Sequence, residues 1–171
     1  MANHYKINKA KSKHLDFTAI IQTPLGKLGI FASSFLKQLD FLQDDNTPLY
    51  TSKDTLVCQI IREINQYFDS PNFQFTIPYQ VTGTVFQKRV WNTLRDLPVG
   101  KTTTYGTLAK TLNTGARAIG NACRTNPLPL LIPCHRVLAK NGLGGFGGDR
   151  TGKKVAIKQW LLNHETLLKA H

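Results

Sequence analysis

The chain is short of acid. Its 171 residues hold 22 Lys or Arg against 10 Asp or Glu, a formal charge of +12. The deficit is uneven: residues 1–85 carry eight basic and seven acidic side chains, residues 86–171 fourteen and three. A need for solubility explains basicity but not this asymmetry, which implies that one region meets a polyanion and the other does not. Cysteine is scarce as well. Cys58, Cys123 and Cys134 are an odd number with no close C-x-x-C pair, which argues against a disulfide framework or a structural zinc site and for a reducing compartment. No apolar run is long enough to cross a bilayer, and no basic helix with a broad apolar face marks a membrane surface. The opening MANHYKINKAKSKH lacks the apolar stretch of a signal peptide. The expectation is a cytoplasmic protein whose residues 1–14 form a flexible basic N-terminus.

What is present divides near residue 80, although the length alone allows one medium domain or two small ones. From Phe17 to Leu42, short apolar stretches broken by TPLG and SSF predict an antiparallel β-meander. Leu56, Val57, Ile60, Ile61, Ile64 and Phe68 recur at helical spacing, with Cys58 riding on that helix as packing. FQFTIPYQ, residues 73–80, reads as an extended crossing. Thr84 and Gln87 then form a capping-box pattern ahead of a helix carrying Phe86, Val90, Trp91 and Leu94. Two short helices follow, about Thr104 to Leu112 and Ala116 to Arg124, joined at Asn113 to Gly115. The pair suggests helix-turn-helix, and equally fits a compact helical domain. In the second helix Ala116, Ala118 and Gly120 are small enough for close approach to a groove or for tight helix packing, and Arg117 and Arg124 add charge.

Chemistry concentrates in IPCHRV, residues 132–137. A nucleophilic cysteine needs its pKa lowered from about 8.5, and a histidine or a positive neighbour lowers it. His135 and Arg136 are the neighbours on offer for Cys134. An isolated intracellular cysteine is more often inert packing, so the surroundings must decide. Downstream, Gly142, Gly144 and Gly147 spell a literal G-x-G-x-x-G, and Glu165 falls near the spacing of a ribose-binding acid. The strand, turn and immediate helix that a dinucleotide site requires are missing, so the glycines are read as a loop lining a pocket near Cys134.

Together GTVFQKRVW, PVGKTTTYGTLA, ARAIGNACRTNPLPLLIPCHRV, the glycine loop and WLLNHE make residues 83–165 closely resemble the O6-alkylguanine-DNA alkyltransferases. TPLGKLGIFAS and the helix ending NQYF match more loosely. The resemblance implies an α+β fold: a small RNase H-like α/β domain over residues 15–80, then a mainly helical DNA-binding and alkyl-acceptor domain over 81–171 with a helix-turn-helix. It implies direct displacement of the alkyl group from guanine O6 onto Cys134, in double-stranded DNA, with O4-alkylthymine as a further candidate substrate. His135 acts as base through a water, Glu165 orients the imidazole, Tyr105 donates a proton toward guanine N3, and Asn126 ties the DNA-reading helix to the active-site segment. The base is flipped out through the minor groove, Arg117 fills the vacancy, and Ala116, Ala118, Gly120 and Arg124 line the contact. The pocket is drawn from Tyr105, Cys123, Pro129, Val137, Phe146, Gly147 and Gly148.

No cofactor or metal is implied, because the DNA itself supplies the alkyl group, and no obligate protein partner: the expectation is a monomer. The product thioether has neither an ionisable sulfur nor a good leaving group, so transfer is expected to stop after one event. Three departures stand out. Many members carry tyrosine where Phe146 stands and serine at Gly147, and the stretch DRTGKKVAI, residues 149–157, is longer than the usual link. Its Arg150, Lys153 and Lys154 are candidates for extra DNA contacts. The competing readings are a damage-binding relative without the acceptor cysteine, a cysteine hydrolase, and a plain DNA-binding regulator.

Overall fold

Runs of buried residues build the first sheet. In the computed structural model, which describes residues 16–166, β1 (Ala19–Thr23), β2 (Gly26–Ala32) and β3 (Leu36–Phe41) form an antiparallel meander in that order. The expected N-terminal tail, residues 1–14, lies outside the described residues. Gly26 at the β1–β2 turn has φ +99°, a conformation that L side chains rarely adopt. Leu28, Ile30 and Leu36 are wholly buried beneath α1 (Thr55–Asp69), which Asp54 caps by accepting from the Val57 amide.

The buried stripe of α1 runs through Val57, Ile60, Glu63, Ile64 and Tyr67. Phe68, expected on that stripe, is only half-buried, and Cys58, expected as packing, is exposed. Each sits one position off the stripe, where a helix has already rotated about 100°. Glu63 is buried because it has work to do. Its carboxylate accepts from the backbone amides of Thr76 (2.8 Å) and Ile77 (3.3 Å), the Thr76 hydroxyl and Gln59, and so pins the crossing segment to α1. The same segment joins β3: the Leu36 amide donates to Pro78 and the Gln80 amide to Leu36.

α2 (Val85–Arg95) begins with the capping box between Thr84 and Gln87. α3 (Tyr105–Thr111) and α4 (Ala116–Arg124) are joined by a turn in which Asn113 takes φ +50°, a conformation asparagine tolerates better than most residues. Two short strands, which periodicity gave no means of seeing, pair in parallel beside the cysteine: β4 (Thr103–Thr104) and β5 (Val137–Leu138). Cys134–Arg136 form one 3-10 turn before β5, and α5 (Lys153–Thr166) closes the chain. The long link is thus mostly helix, since Lys153–Ile157 are the first turns of α5. Its lysines are not a free basic surface: Lys153 pairs with Asp45 at 2.7 Å, and Lys154 with Asp149 at 3.4 Å and the Gly147 carbonyl.

Buried side chains from both halves join one hydrophobic cluster, from Ala19 to Leu161, with Trp91 at 1% exposure donating to the Ala122 carbonyl. Among the described residues no helix is long and apolar enough to cross a membrane.

Burial raises the Glu63 carboxyl, but the four hydrogen bonds more than offset this and hold it below its ordinary 4.5. A depressed carboxylate stabilises the fold fully above that value, and the contribution is lost as pH falls through the folded value. Glu63→Gln turns an amide NH2 toward backbone donors, so we expect a loss of about 1–3 kcal/mol at pH 7. The deficit relative to wild type should shrink in thermal melts below pH 4.5; a pH-independent deficit contradicts the assignment.

Candidate functional site

The sequence folds toward one cavity. A space of about 830 Å3 is lined by Tyr105 from α3, by Ala116, Arg117, Gly120, Cys123 and Arg124 from α4, by Cys134, and by the 143–150 loop including Phe146, Gly147 and Gly148. Of the expected wall residues, Pro129 and Val137 are not on it. Val137 is in β5 and wholly buried, its carbonyl held by Lys158, and Pro129 lies in the connection between core residues Leu128 and Leu130. Ala118, expected at the DNA contact, is half-buried between the wall residues Arg117 and Gly120 and is not itself on the lining. The glycines let the loop come close: a side chain at Gly144 (φ +74°) would meet the Tyr105 ring at 3.2 Å, and one at Gly148 (φ +93°) the Arg124 side chain at 3.1 Å. Arg117 is exposed at the rim.

Cys134 is buried, and Asn126 Nδ2 donates to its Sγ at 3.1 Å. The same amide reaches the Ile132 carbonyl at 2.7 Å, while Asn126 Oδ1 accepts from the Leu128 amide, so one side chain after α4 spans the whole approach to the thiol. Burial pushes the Cys134 thiol up, against the opposing effects of the Asn126 hydrogen bond and the Lys158 charge. This reverses the lowered pKa expected from the sequence. The supposed helpers face elsewhere: Arg136 turns to Glu165, with Nε and Nη2 each 2.8 Å from its carboxylate oxygens, and to the Leu97 carbonyl. Cys123, in the same cavity, is also raised by burial and by its neighbour Cys134.

Next to Cys134 in sequence, His135 is wholly buried and its Nε2 lies 2.7 Å from Glu165 Oε1. Its Nδ1 is a buried polar atom with no hydrogen-bond partner among the described residues. Burial pulls the imidazole below its ordinary 6.5, with the Arg136 and Lys158 charges acting the same way and Glu165 opposing. Burial would raise Glu165, but hydrogen bonds and charge from His135 and Arg136 hold it well below the carboxylate range. With the permanent charge of Arg136 on the carboxylate, the resting pair is Glu165 anionic and His135 neutral, Nε2–H donating and Nδ1 left as the base. Tyr105 at the start of α3 is pushed up to about 12 by burial and by the two cysteines. Its hydroxyl is 3.5 Å from the Gly145 carbonyl, too long for a firm O–H···O bond, so it is a protonated donor without a settled acceptor.

Sequence reasoning missed two groups here. Lys158 is wholly buried, bonds the carbonyls of Val137 (2.6 Å) and Gly145 (3.0 Å), and lies 5.8 Å from the Tyr105 ring centroid. Burial pulls it down to about 8, and both cysteines oppose that. Its signal was available, a charged residue on the inner side of IKQWLL between Ile157 and Leu161. The other is Tyr67, whose hydroxyl donates to Glu165 Oε1 at 3.0 Å from across the molecule.

A family profile described as "6-O-methylguanine DNA methyltransferase, DNA binding domain" matches residues 85–167. The chain is 44% identical over 110 residues to a methylated-DNA–protein-cysteine methyltransferase of Methanocaldococcus jannaschii, a match spanning 63% of this chain and 65% of that one. It is 32% identical to the constitutive methylated-DNA–protein-cysteine methyltransferase of Bacillus subtilis over 90% of this chain and 97% of that one. The solved structure of Mycobacterium tuberculosis OGT in complex with DNA superposes with a TM-score of 0.72 at 30% identity, covering 86% of this chain and 92% of that one. Near-complete mutual coverage at this identity fixes the affiliation: the chain belongs to the methylated-DNA–protein-cysteine methyltransferase family.

Proposed function

We propose that this chain repairs DNA by moving an alkyl group from guanine O6 onto Cys134, once per molecule. The observation that carries the reading is a buried thiol on the wall of an arginine-rimmed cavity, next in sequence to a neutral histidine fixed on an ionised glutamate. The names of the relatives and the DNA complex of a similar structure support the same substrate class.

The fold is read as an RNase H-like domain over 15–80 and a DNA-binding domain over 81–171, in which α3 and α4 act as a helix-turn-helix. α4 lies in the minor groove, with Ala116, Ala118 and Gly120 allowing close approach, and Arg124 holding phosphate. Flipping the base costs about a few kcal/mol of stacking, which Arg117 offsets by entering the gap. The thiol proton passes to His135 Nδ1 by way of a water, and Sγ attacks the alkyl carbon. The carbon–O6 bond breaks, its electron pair stays with the base, and Tyr105 protonates N3 so that guanine leaves neutral. Lys158 and Asn126 stabilise the charge that develops on sulfur. Asn126 also carries any strain from the alkylated sulfur toward α4.

Two outcomes are expected. Mixed with a duplex containing one O6-methylguanine, the protein should gain a single methyl on the Cys134 peptide, saturating at one per molecule by mass spectrometry. Cys134→Ala should bind the lesion and gain none. Repeated transfer beyond protein concentration, or tight binding with no adduct on wild type, overturns the proposal, the latter in favour of a damage sensor.

The pH dependence of the single-turnover rate follows from the sign of the histidine shift. His135 must be neutral, and its pKa lies below 6.5, so the rate should hold through pH 6.5 and fall only below it. A limb centred above that value contradicts a His135 base. Lys158→Met should slow transfer at least about ten-fold, the rate equivalent of about 1.4 kcal/mol, with affinity for lesion DNA unchanged in a binding titration. An unaltered rate removes Lys158 from the mechanism.

A further inference from the structure

Glu165 is oversubscribed. Its carboxylate accepts five hydrogen bonds: Oε1 from Tyr67, His135 and Arg136 Nη2, and Oε2 from Arg136 Nε and the Gly100 amide at 3.2 Å. Four of the donors come from segments next to the cysteine or from the loop after α2. The fifth, Tyr67, comes from α1, in the half of the chain that contributes nothing else to the site.

Its docking is double. The Tyr67 carbonyl accepts from His164 Nε2 at 2.9 Å while its hydroxyl reaches Glu165 on the next residue of α5. The ring is 2% exposed and packs edge-on against Phe68 and His164, with Phe75 also in contact. A phenol held this way is a fixed dipole aimed at one oxygen. Three donors on Oε1 exceed the roughly two lone-pair sites that a carboxylate oxygen offers, so each weakens the others. Tyr67 therefore takes electron density that would otherwise strengthen the bond to His135.

We propose that Tyr67 is a positioning residue for alkyl transfer, which moderates the basicity of Glu165 so that His135 stays neutral with Nδ1 free. The inference rests on the reading of Cys134 as acceptor and His135 as base. The charged groups acting on His135 are Glu165, Arg136 and Lys158, and Tyr67 of α1 joins them through its hydrogen bond to Glu165. Without the Tyr67 hydroxyl, Glu165 draws a proton onto His135 more strongly, and the imidazolium gains at the expense of the base.

Tyr67→Phe tests this with the least disturbance, because a cavity of about 210 Å3 already lies beside Tyr67 and Arg136 and a smaller residue would enlarge it. In the intact chain, with O6-methylguanine duplex as the probe, the single-turnover rate should fall up to about ten-fold on the acid limb and by a smaller factor at pH 7, with lesion affinity unchanged. The acid limb of the rate should move to higher pH. Nitrogen-15 NMR of the histidines should report a raised His135 pKa in the same variant, a readout that needs no activity. Phe75→Leu removes a ring neighbour without touching Glu165, and should lower the melting temperature while leaving both the limb and the His135 resonance in place. An unchanged limb and resonance in Tyr67→Phe, or the same displacement in Phe75→Leu, overturns the inference. Failure of wild type to accept a methyl group on Cys134 overturns the parent reading instead, and is seen before any variant is made.

Discussion

A single buried negative charge organises this molecule. Glu165 is 1% exposed, and a carboxylate taken from water into a protein interior costs several kcal/mol unless it is paired and fully hydrogen-bonded. Arg136, His135, Tyr67 and the Gly100 amide all answer that requirement. In doing so they dock the end of α5 on the turn that carries the cysteine, on the loop after α2 and on α1. Removing one partner of a buried pair leaves an uncompensated charge worth about 3–5 kcal/mol, far more than any one hydrogen bond contributes. The carboxylate is therefore as much a keystone of the fold as a part of the chemistry.

The reactive group is left in an uncommitted state by the same arrangement. Because Arg136 serves Glu165, it does not serve Cys134, and burial keeps the thiol protonated. A resting thiol is less exposed to oxidation and stray electrophiles than a thiolate, which is the reactive form. That suits the single-use acceptor role proposed for Cys134. In the proposed mechanism, ionisation depends on a neutral His135 reached through a water and on Lys158 and Asn126 beside the sulfur. Reactivity thus belongs to the assembled site with a substrate in it, and not to the cysteine alone.

The cavity wall is made by backbone that few side chains could share. Gly144 and Gly148 hold left-handed conformations against Tyr105 and Arg124, so the loop shapes the pocket by close approach. At the head of α5, Lys154 ties the helix to Asp149 and the Gly147 carbonyl of that loop, and Lys153 ties it to Asp45. The longer link therefore extends a helix and braces the wall. Arg150 is the member of that basic group that lines the cavity mouth.

Much was legible in the chain itself. The capping box, the two short helices, the glycine loop and the order of Tyr105, Arg117, Asn126, Cys134, His135 and Glu165 are local or linear signals. Local hydrogen bonding and spacing set them whatever else the chain does. The β4–β5 pair was invisible because two-residue strands have no periodicity, and Phe68 stood in for Tyr67 because an apolar pattern ranks phenylalanine above a tyrosine whose hydroxyl has a distant acceptor. The sequence by itself determined which groups are available and in what order. Tertiary structure alone decided their protonation: burial raised the thiol, Glu165 claimed Arg136, and Lys158 came in from the inner face of α5. A pKa depends on desolvation and on charges a few ångströms away in space, and those distances exist only once the chain has folded.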